Sequence, residues 1–274
     1  MTKSLNCLHM NHLNAVIQSF DESVAHFEEL LGAQFNFDLP GDHWHGYLMT
    51  IGGVMFQFFE PAQYILNARM GPHYVGIEYQ VPDVEEARQE VFARGFKIVR
   101  ELDVAFHMHP DGVFGVCWEF FDKSFQDRIN PPVDYPEAIW DDEKFADHPI
   151  GFLGLKRYSV VVEDLPAAVE FAQSFLGATV SYREERDGAK ASAVGLALGG
   201  TVLELLSPTG EGAISRFHAR YGDGIRSTVF AVKNLEATAR YFADRGITLQ
   251  AGDAPGSLAL SPHDNLGLLL EFSE

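Results

Sequence analysis

Apolar and polar positions along this chain fall into a pattern that recurs four times. Each unit opens on an apolar strand, continues as a short amphipathic helix that stops near a glycine, and closes with further strands. In the first unit (residues 8–62) the pattern predicts a strand over Met10–Ile17 and a helix between Asp21 and Gly32, with residue types suited to helix starts and stops. Strands follow over Gln34–Asp38, Gly46–Ile51 and Val54–Glu60. The second unit (73–122) predicts a strand over Val75–Val81, a helix over Asp83–Arg94 stopped by Gly95, and a closing strand over Gly115–Phe121. The third (153–208) has strand Tyr158–Val162 and helix Leu165–Leu176 before Gly177. The fourth (226–273) has strand Thr228–Val232 and helix Leu235–Arg245 before Gly246.

The repetition extends to residue identity. IGGVMFQFFEP at 51–61 matches LGGTVLELLSP at 198–208, and PDGVFGVCWEF at 110–120 matches PHDNLGLLLEF at 262–272. The helices VAHFEELLGA at 24–33 and VEFAQSFLGA at 169–178 match as well. A repeat of this kind dictates the fold. Each unit reads as βαβββ, which makes the expected class α+β. A lone four-stranded unit leaves one edge and one face uncovered, so units must pair. Two domains are expected, residues 1–128 and 151–274. Between them, residues 129–150 have the composition of a linker, with Pro131, Pro132, Pro136 and Pro149 punctuating the acidic Asp141, Asp142 and Glu143. The two halves either pack within one chain or form a homodimer; the repeats fit both.

Composition narrows the function classes. A formal charge of −19 disfavours nucleic acid and anionic membrane surfaces, which need clustered Lys and Arg. No apolar run approaches the roughly 18 to 20 residues of a membrane span, and no signal peptide is evident, so the expected location is the cytoplasm. The two cysteines, Cys7 and Cys117, imply no disulfide framework. The 22 Phe residues point to aromatic-lined cores or cavities. The chain has no phosphate-cradling glycine loop, no Gly-x-Ser-x-Gly elbow and no Cys-x-x-Cys pair. Glu119 stands among Val116, Cys117, Trp118, Phe120 and Phe121, on a strand apolar on both faces. A carboxylate buried there must be paired or bind metal.

The strand-to-helix junctions and closing strands together resemble the vicinal oxygen chelate superfamily, which includes glyoxalase I, methylmalonyl-CoA epimerase, extradiol dioxygenases and bleomycin-resistance proteins. The junctions are His12 to Ser23 followed by Leu30-Leu31-Gly32, and Tyr158 to Leu165 followed by Phe175-Leu176-Gly177. The closing strands are those bearing Gln57, Glu119, Glu204 and Glu271. The resemblance implies that the four βαβββ units pair into two half-open barrel domains. It also implies ligands to a divalent metal (Fe, Zn, Mn, Co or Ni) from the first and last strand of each unit. Those places hold His12, Gln57, Gly76 and Glu119 in the first half, and Arg157, Glu204, Ser227 and Glu271 in the second.

His12, Gln57 and Glu119 are thus the expected metal ligands. Gly76 stands where the family usually has His, and would open room for a larger ligand. Glu78, two residues on, faces the same side and is expected as the missing oxygen ligand or as general base; Glu78 and Glu119 are the candidate catalytic carboxylates. His73 has the opposite parity. Asn14, Phe59, Gly76, His107, His109 and Cys117 are expected to line a substrate pocket, with His107 and His109 on one strand face. His43 and His45, flanking Trp44, form a second His-x-His pair. Arg157 cannot bind a cation and is expected to hold Glu204 and Glu271 in a degenerate, metal-free second half. The resulting expectation is a metal-dependent glyoxalase- or epimerase-like enzyme acting on a small oxygen-rich metabolite through a stabilised enolate. The alternatives are an extradiol-dioxygenase-like oxygenase and a metal-free small-molecule binding protein.

Overall fold

A computed structural model describes residues 3–40, 45–60, 71–102, 104–122, 145 and 147–274. The expected features at His43, Trp44 and most of 129–150, including Tyr135, Ile139 and Trp140, lie outside the described residues. The first repeat is β1 (His9–Val16), α1 (Phe20–Leu31), β2 (Gln34–Pro40), β3 (His45–Ile51) and β4 (Val54–Phe59). The second is β5 (His73–Gln80), α2 (Val84–Ala93), β6 (Ile98–Glu101), β7 (Ala105–Met108) and β8 (Cys117–Phe121). The third is β9 (Phe152–Val161), α3 (Leu165–Phe171), β10 (Thr179–Arg186), β11 (Ala191–Leu198) and β12 (Thr201–Pro208). A helix α4 (Ala213–Tyr221) then leads to β13 (Gly224–Val232), α5 (Leu235–Ala243), β14 (Gln250–Ala251), β15 (Leu258–Leu260) and β16 (Leu269–Ser273). The α+β class and the βαβββ repeat are as expected. Among the described residues no helix is long and apolar enough to cross a membrane.

The helix ends follow local chemistry. Asp83, Asp164 and Asn234 accept backbone N–H bonds from Glu86, Ala167 and Ala237 at 2.8, 3.0 and 2.7 Å, which satisfies donors left open in the first turn. At α1 the preceding Ser19 makes no such bond; the Glu60 carboxylate accepts from Phe20 N at 2.8 Å instead. Gly32 ends α1 in the left-handed region (φ 63°), where a Cβ would also collide with the His148 ring. In the third repeat the helix runs to Leu176 as expected, but its last five residues, Ala172–Leu176, form a π turn.

Among the described residues, sixteen strands form two mixed eight-stranded sheets of identical order, β2-β3-β4-β1-β5-β8-β7-β6 and β10-β11-β12-β9-β13-β16-β15-β14. In each, the opening strands of two successive repeats lie side by side at the centre. The pairs β5–β8 and β13–β16 are parallel, and the hairpins are antiparallel. Spatial contacts group the chain into two compact units. One compact unit comprises Met1–His12, Gly76–Pro136 and Ser159–Ile225; the other comprises Leu13–Val75, Glu137–Tyr158 and Arg226–Glu274.

Aromatic packing inside each unit accounts for this grouping. In the first, Phe96 packs on Phe171 and Phe175 at 5.7 and 5.2 Å, and Trp118 packs on Phe171 at 5.9 Å. In the second, Phe230 meets Phe152 and Phe56 at 5.1 and 6.3 Å, and Tyr241 donates its hydroxyl to Leu30 O at 2.9 Å. Rings at these separations add directional attraction to the apolar area they bury.

Gly76 has a backbone reason. Paired with Cys117 in the parallel β5–β8 ladder, it lies so close that a Cβ would overlap the Cys117 carbonyl oxygen. The missing side chain lets two strands approach, in place of the expected room for a ligand. Gly76→Ala is therefore expected to cost about 1–3 kcal/mol in urea denaturation, the usual cost of overpacking. Gly188→Ala, where a Cβ meets nothing within 4 Å, serves as the neutral control.

Candidate metal centre

The compact unit that contains β8 brings four chemically active side chains into a row. Four neighbouring strands, β1, β5, β8 and β7 in sheet order, carry His12, Glu78, Glu119 and His107. Glu78 is the register partner of Glu119 in the parallel pair, and His107 is the partner of Glu119 in the antiparallel pair. Adjacent strands run about 4.8 Å apart, so register alone sets two carboxylates side by side with an imidazole on each flank. All four residues are buried, Glu78 completely.

The contacts are polar and close. His12 Nδ1 lies 2.8 Å from Asn11 Oδ1 and 2.9 Å from Glu78 Oε2. Asn11 Oδ1 only accepts, so Nδ1 donates to it, and Nε2 is turned to the site. His12 Nε2 lies 4.0 Å from Glu119 Oε2. His107 Nε2 lies 2.8 Å from the other Glu119 oxygen, Oε1, and its Nδ1 lies 4.0 Å from Cys117 Sγ. His12 Nε2, His107 Nε2 and both Glu78 oxygens are buried without a hydrogen bond of good geometry. His12, Glu78 and Glu119 each offer one ligand atom, all within 4.8 Å of one another, the one such group among the described residues.

Burial and charge set the protonation. Desolvation raises the Glu78 pKa and neighbouring Glu119 raises it further, against the lowering pull of His12. Desolvation would lower the His12 pKa, but Glu78 and Glu119 more than reverse it. Burial likewise disfavours charge on His107, and Glu119 overrides it, pushing the pKa up to about 10.

The other expected site residues lie on several elements. Gln57 is half-buried in the middle of β4, and Asn14 and Phe59 are buried on β1 and β4. All three belong to the other compact unit. His109 does not share a strand face with His107: β7 ends at Met108, and His109 Nδ1 accepts from Asp111 N at 3.1 Å in the following turn. His73 is buried with Nδ1 2.7 Å from Gly71 O. His45 stacks on Phe20 and contacts Asp38 at 2.6 Å. Two residues escaped the sequence reading. Asn11 has the parity opposite to His12 yet supplies its Nδ1 partner, and Arg186 sits in a charged strand with no apolar alternation to mark it as buried.

Arg186 organises the second half. It grips both Glu204 oxygens, at 3.1 and 2.5 Å, while Ser159 and Tyr182 donate hydroxyls to the same carboxylate. Arg186, outside the four expected ligand places, thus holds Glu204. Glu271 accepts from Ser227 Oγ, Asp253 N and Ser257 Oγ at 2.8, 2.9 and 3.1 Å. Burial raises the Glu271 pKa and Arg157 opposes the rise.

The sequence profile of the Glyoxalase/Bleomycin resistance protein/Dioxygenase superfamily matches residues 9–124 and 154–272. A search of curated proteins finds no matching sequence. Among solved structures, a mutant 4-hydroxymandelate synthase from Streptomyces coelicolor aligns over 97% of this chain and 92% of its own, with a TM-score of 0.72 at 13% identity. An extradiol ring-cleaving dioxygenase from B. fuscum aligns over 100% of this chain and 73% of its own, with a TM-score of 0.70 at 12% identity. Methylmalonyl-CoA epimerase from Mycobacterium tuberculosis aligns over 44% of this chain and 87% of its own, with a TM-score of 0.42 at 25% identity. The two full-length likenesses show the fold.

Two outcomes follow for stability. The His107 pKa lies above its ordinary 6.5, so its contribution is full below pH 6.5 and is lost as pH rises towards 10. Urea denaturation with a chelator present should show stability falling across this window, with a shallower fall in His107→Gln. Arg186→Met should cost about 3–5 kcal/mol, because it leaves Glu204 buried without its cation, with part of the loss recovered in Arg186→Met/Glu204→Gln.

Proposed function

Because the chain belongs to the Glyoxalase/Bleomycin resistance protein/Dioxygenase superfamily, we propose that it is a metal-dependent enzyme of glyoxalase or epimerase type. Its substrate is a small oxygen-rich carbonyl metabolite with an acidic C–H. The observation that carries this reading is the buried trio His12, Glu78 and Glu119, whose ligand atoms lie within 4.8 Å of one another, with His12 Nε2 and both Glu78 oxygens buried and without a hydrogen bond of good geometry. Buried polar atoms without partners are costly, and a divalent cation satisfies them. One nitrogen and several carboxylate oxygens suit Fe, Mn, Co, Ni or Zn.

His12, Glu78 and Glu119 would hold the cation. When bound, it supplies Lewis acidity and positive charge where an enolate develops. Glu78 takes the substrate proton: it is fully buried, its pKa is raised by that burial, and its two oxygens allow one to face the cation while the other accepts the proton. His12 is oriented by Asn11 so that Nε2 faces Glu119.

A second reading, an oxygenase, is favoured by one observation: His12, His107 and Glu119 together supply two imidazoles and one carboxylate. The close pairing of His107 Nε2 with Glu119 Oε1 counts against it.

Metal analysis of protein purified without chelators decides between enzyme and metal-free binding protein. The expected result is about one transition metal ion per chain, lost in His12→Ala. Proton exchange into D2O should then appear for a panel of small 2-oxo and thioester substrates, falling about 10²- to 10⁴-fold in Glu78→Gln. Protein without metal, with stability unchanged by chelation, contradicts the proposal.

A further inference from the structure

The proposed cation site uses one imidazole, yet the row contains two. His107 comes from β7, a strand outside the four places where ligands are expected, and is buried with Cys117 on one side and Glu119 on the other. Its role follows from how the two Glu119 oxygens are divided. Oε1 faces His107 Nε2 at 2.8 Å; Oε2 faces His12 Nε2 at 4.0 Å. Oε1 thus faces His107, and Oε2 faces the side where His12 and Glu78 converge.

Resting on the metal-centre reading above, we propose that His107 is a positioning residue that clamps Glu119, fixing Oε2 as the ligand atom without binding the cation itself. The chain of contacts is directional. The Cys117 Sγ, 4.0 Å from Nδ1, occupies that ring nitrogen as a weak partner. This leaves Nε2 as the ring nitrogen that meets Glu119 Oε1, in an ion-pair contact at 2.8 Å. Backbone geometry supports the clamp, because His107 and Glu119 are register partners on adjacent antiparallel strands. The Gly76–Cys117 close approach draws β5 against the same strand, β8. On the opposite flank Asn11 holds His12 Nδ1. The trio is thus braced from both ends by side chains that are not ligands, the arrangement by which outer residues orient metal-binding ones.

The test uses the full chain, with Mn2+ as the probe. Mn2+ affinity is measured by calorimetry for wild type, His107→Phe and His107→Gln, with circular dichroism to verify folding. His107→Phe keeps a ring but removes the donor, and should weaken Mn2+ binding about 10- to 100-fold. His107→Gln keeps an N–H donor and should recover most of the loss. Pulsed electron paramagnetic resonance should count one bound imidazole per Mn2+ in wild type and in His107→Gln alike. Nitrogen-15 spectra of metal-free wild type, which require no variant to fold, should show His107 protonated at Nε2. Two imidazoles in wild type, or unchanged Mn2+ affinity in His107→Phe, overturns the clamp and leaves the metal centre standing. No Mn2+ binding by wild type overturns both.

Discussion

The structure around the candidate site depends on the parallel register of β5 and β8, which sets Glu78 beside Glu119 in a dry interior. Two neighbouring carboxylates cannot both carry charge there without compensation, since desolvation and mutual repulsion act in the same direction. His12 and His107, on the strands immediately outside, supply that compensation with contacts of 2.9 and 2.8 Å. Protons on the imidazoles balance the row, and a divalent cation bound there would supply that charge instead. The strand order and the absent side chain at Gly76 both serve the same constraint.

The second half meets a similar need with a guanidinium and hydrogen bonds. Where a buried carboxylate recurs at the closing position of the third repeat, Arg186 takes its charge with a two-point grip, and Ser159 and Tyr182 fill the remaining acceptor positions. A guanidinium fork is always charged and matches the two carboxylate oxygens. In the fourth repeat, hydroxyls and a backbone N–H surround Glu271. The two sheets share one strand order, yet their buried carboxylates have different partners.

The repeat made most of the fold legible. Period and punctuation located the strands and helices, because each element has an apolar face and a stop residue. The contact grouping was not legible: which repeats pack together depends on rings such as Phe96 and Phe171, far apart in sequence. At the site, alternation along one strand correctly put Glu78 on the His12–Glu119 side, since strand parity is a local property. It failed for His109, because β7 ends one residue earlier, and for Asn11, because both faces of β1 are buried. Arg186 was hidden for a related reason: a charged strand gives no sign of burial until its cross-strand partners are known.

The central claim is that the buried row of His12, Glu78, Glu119 and His107 is a cation site whose charge is balanced by protons until a cation replaces them. Calorimetric titration with Mn2+ at pH 7, repeated in buffers of different ionisation enthalpy, tests this most directly. The account requires binding of one ion per chain with a buffer-dependent heat that corresponds to net proton release. Absence of binding, or binding whose heat is the same in every buffer, would contradict it.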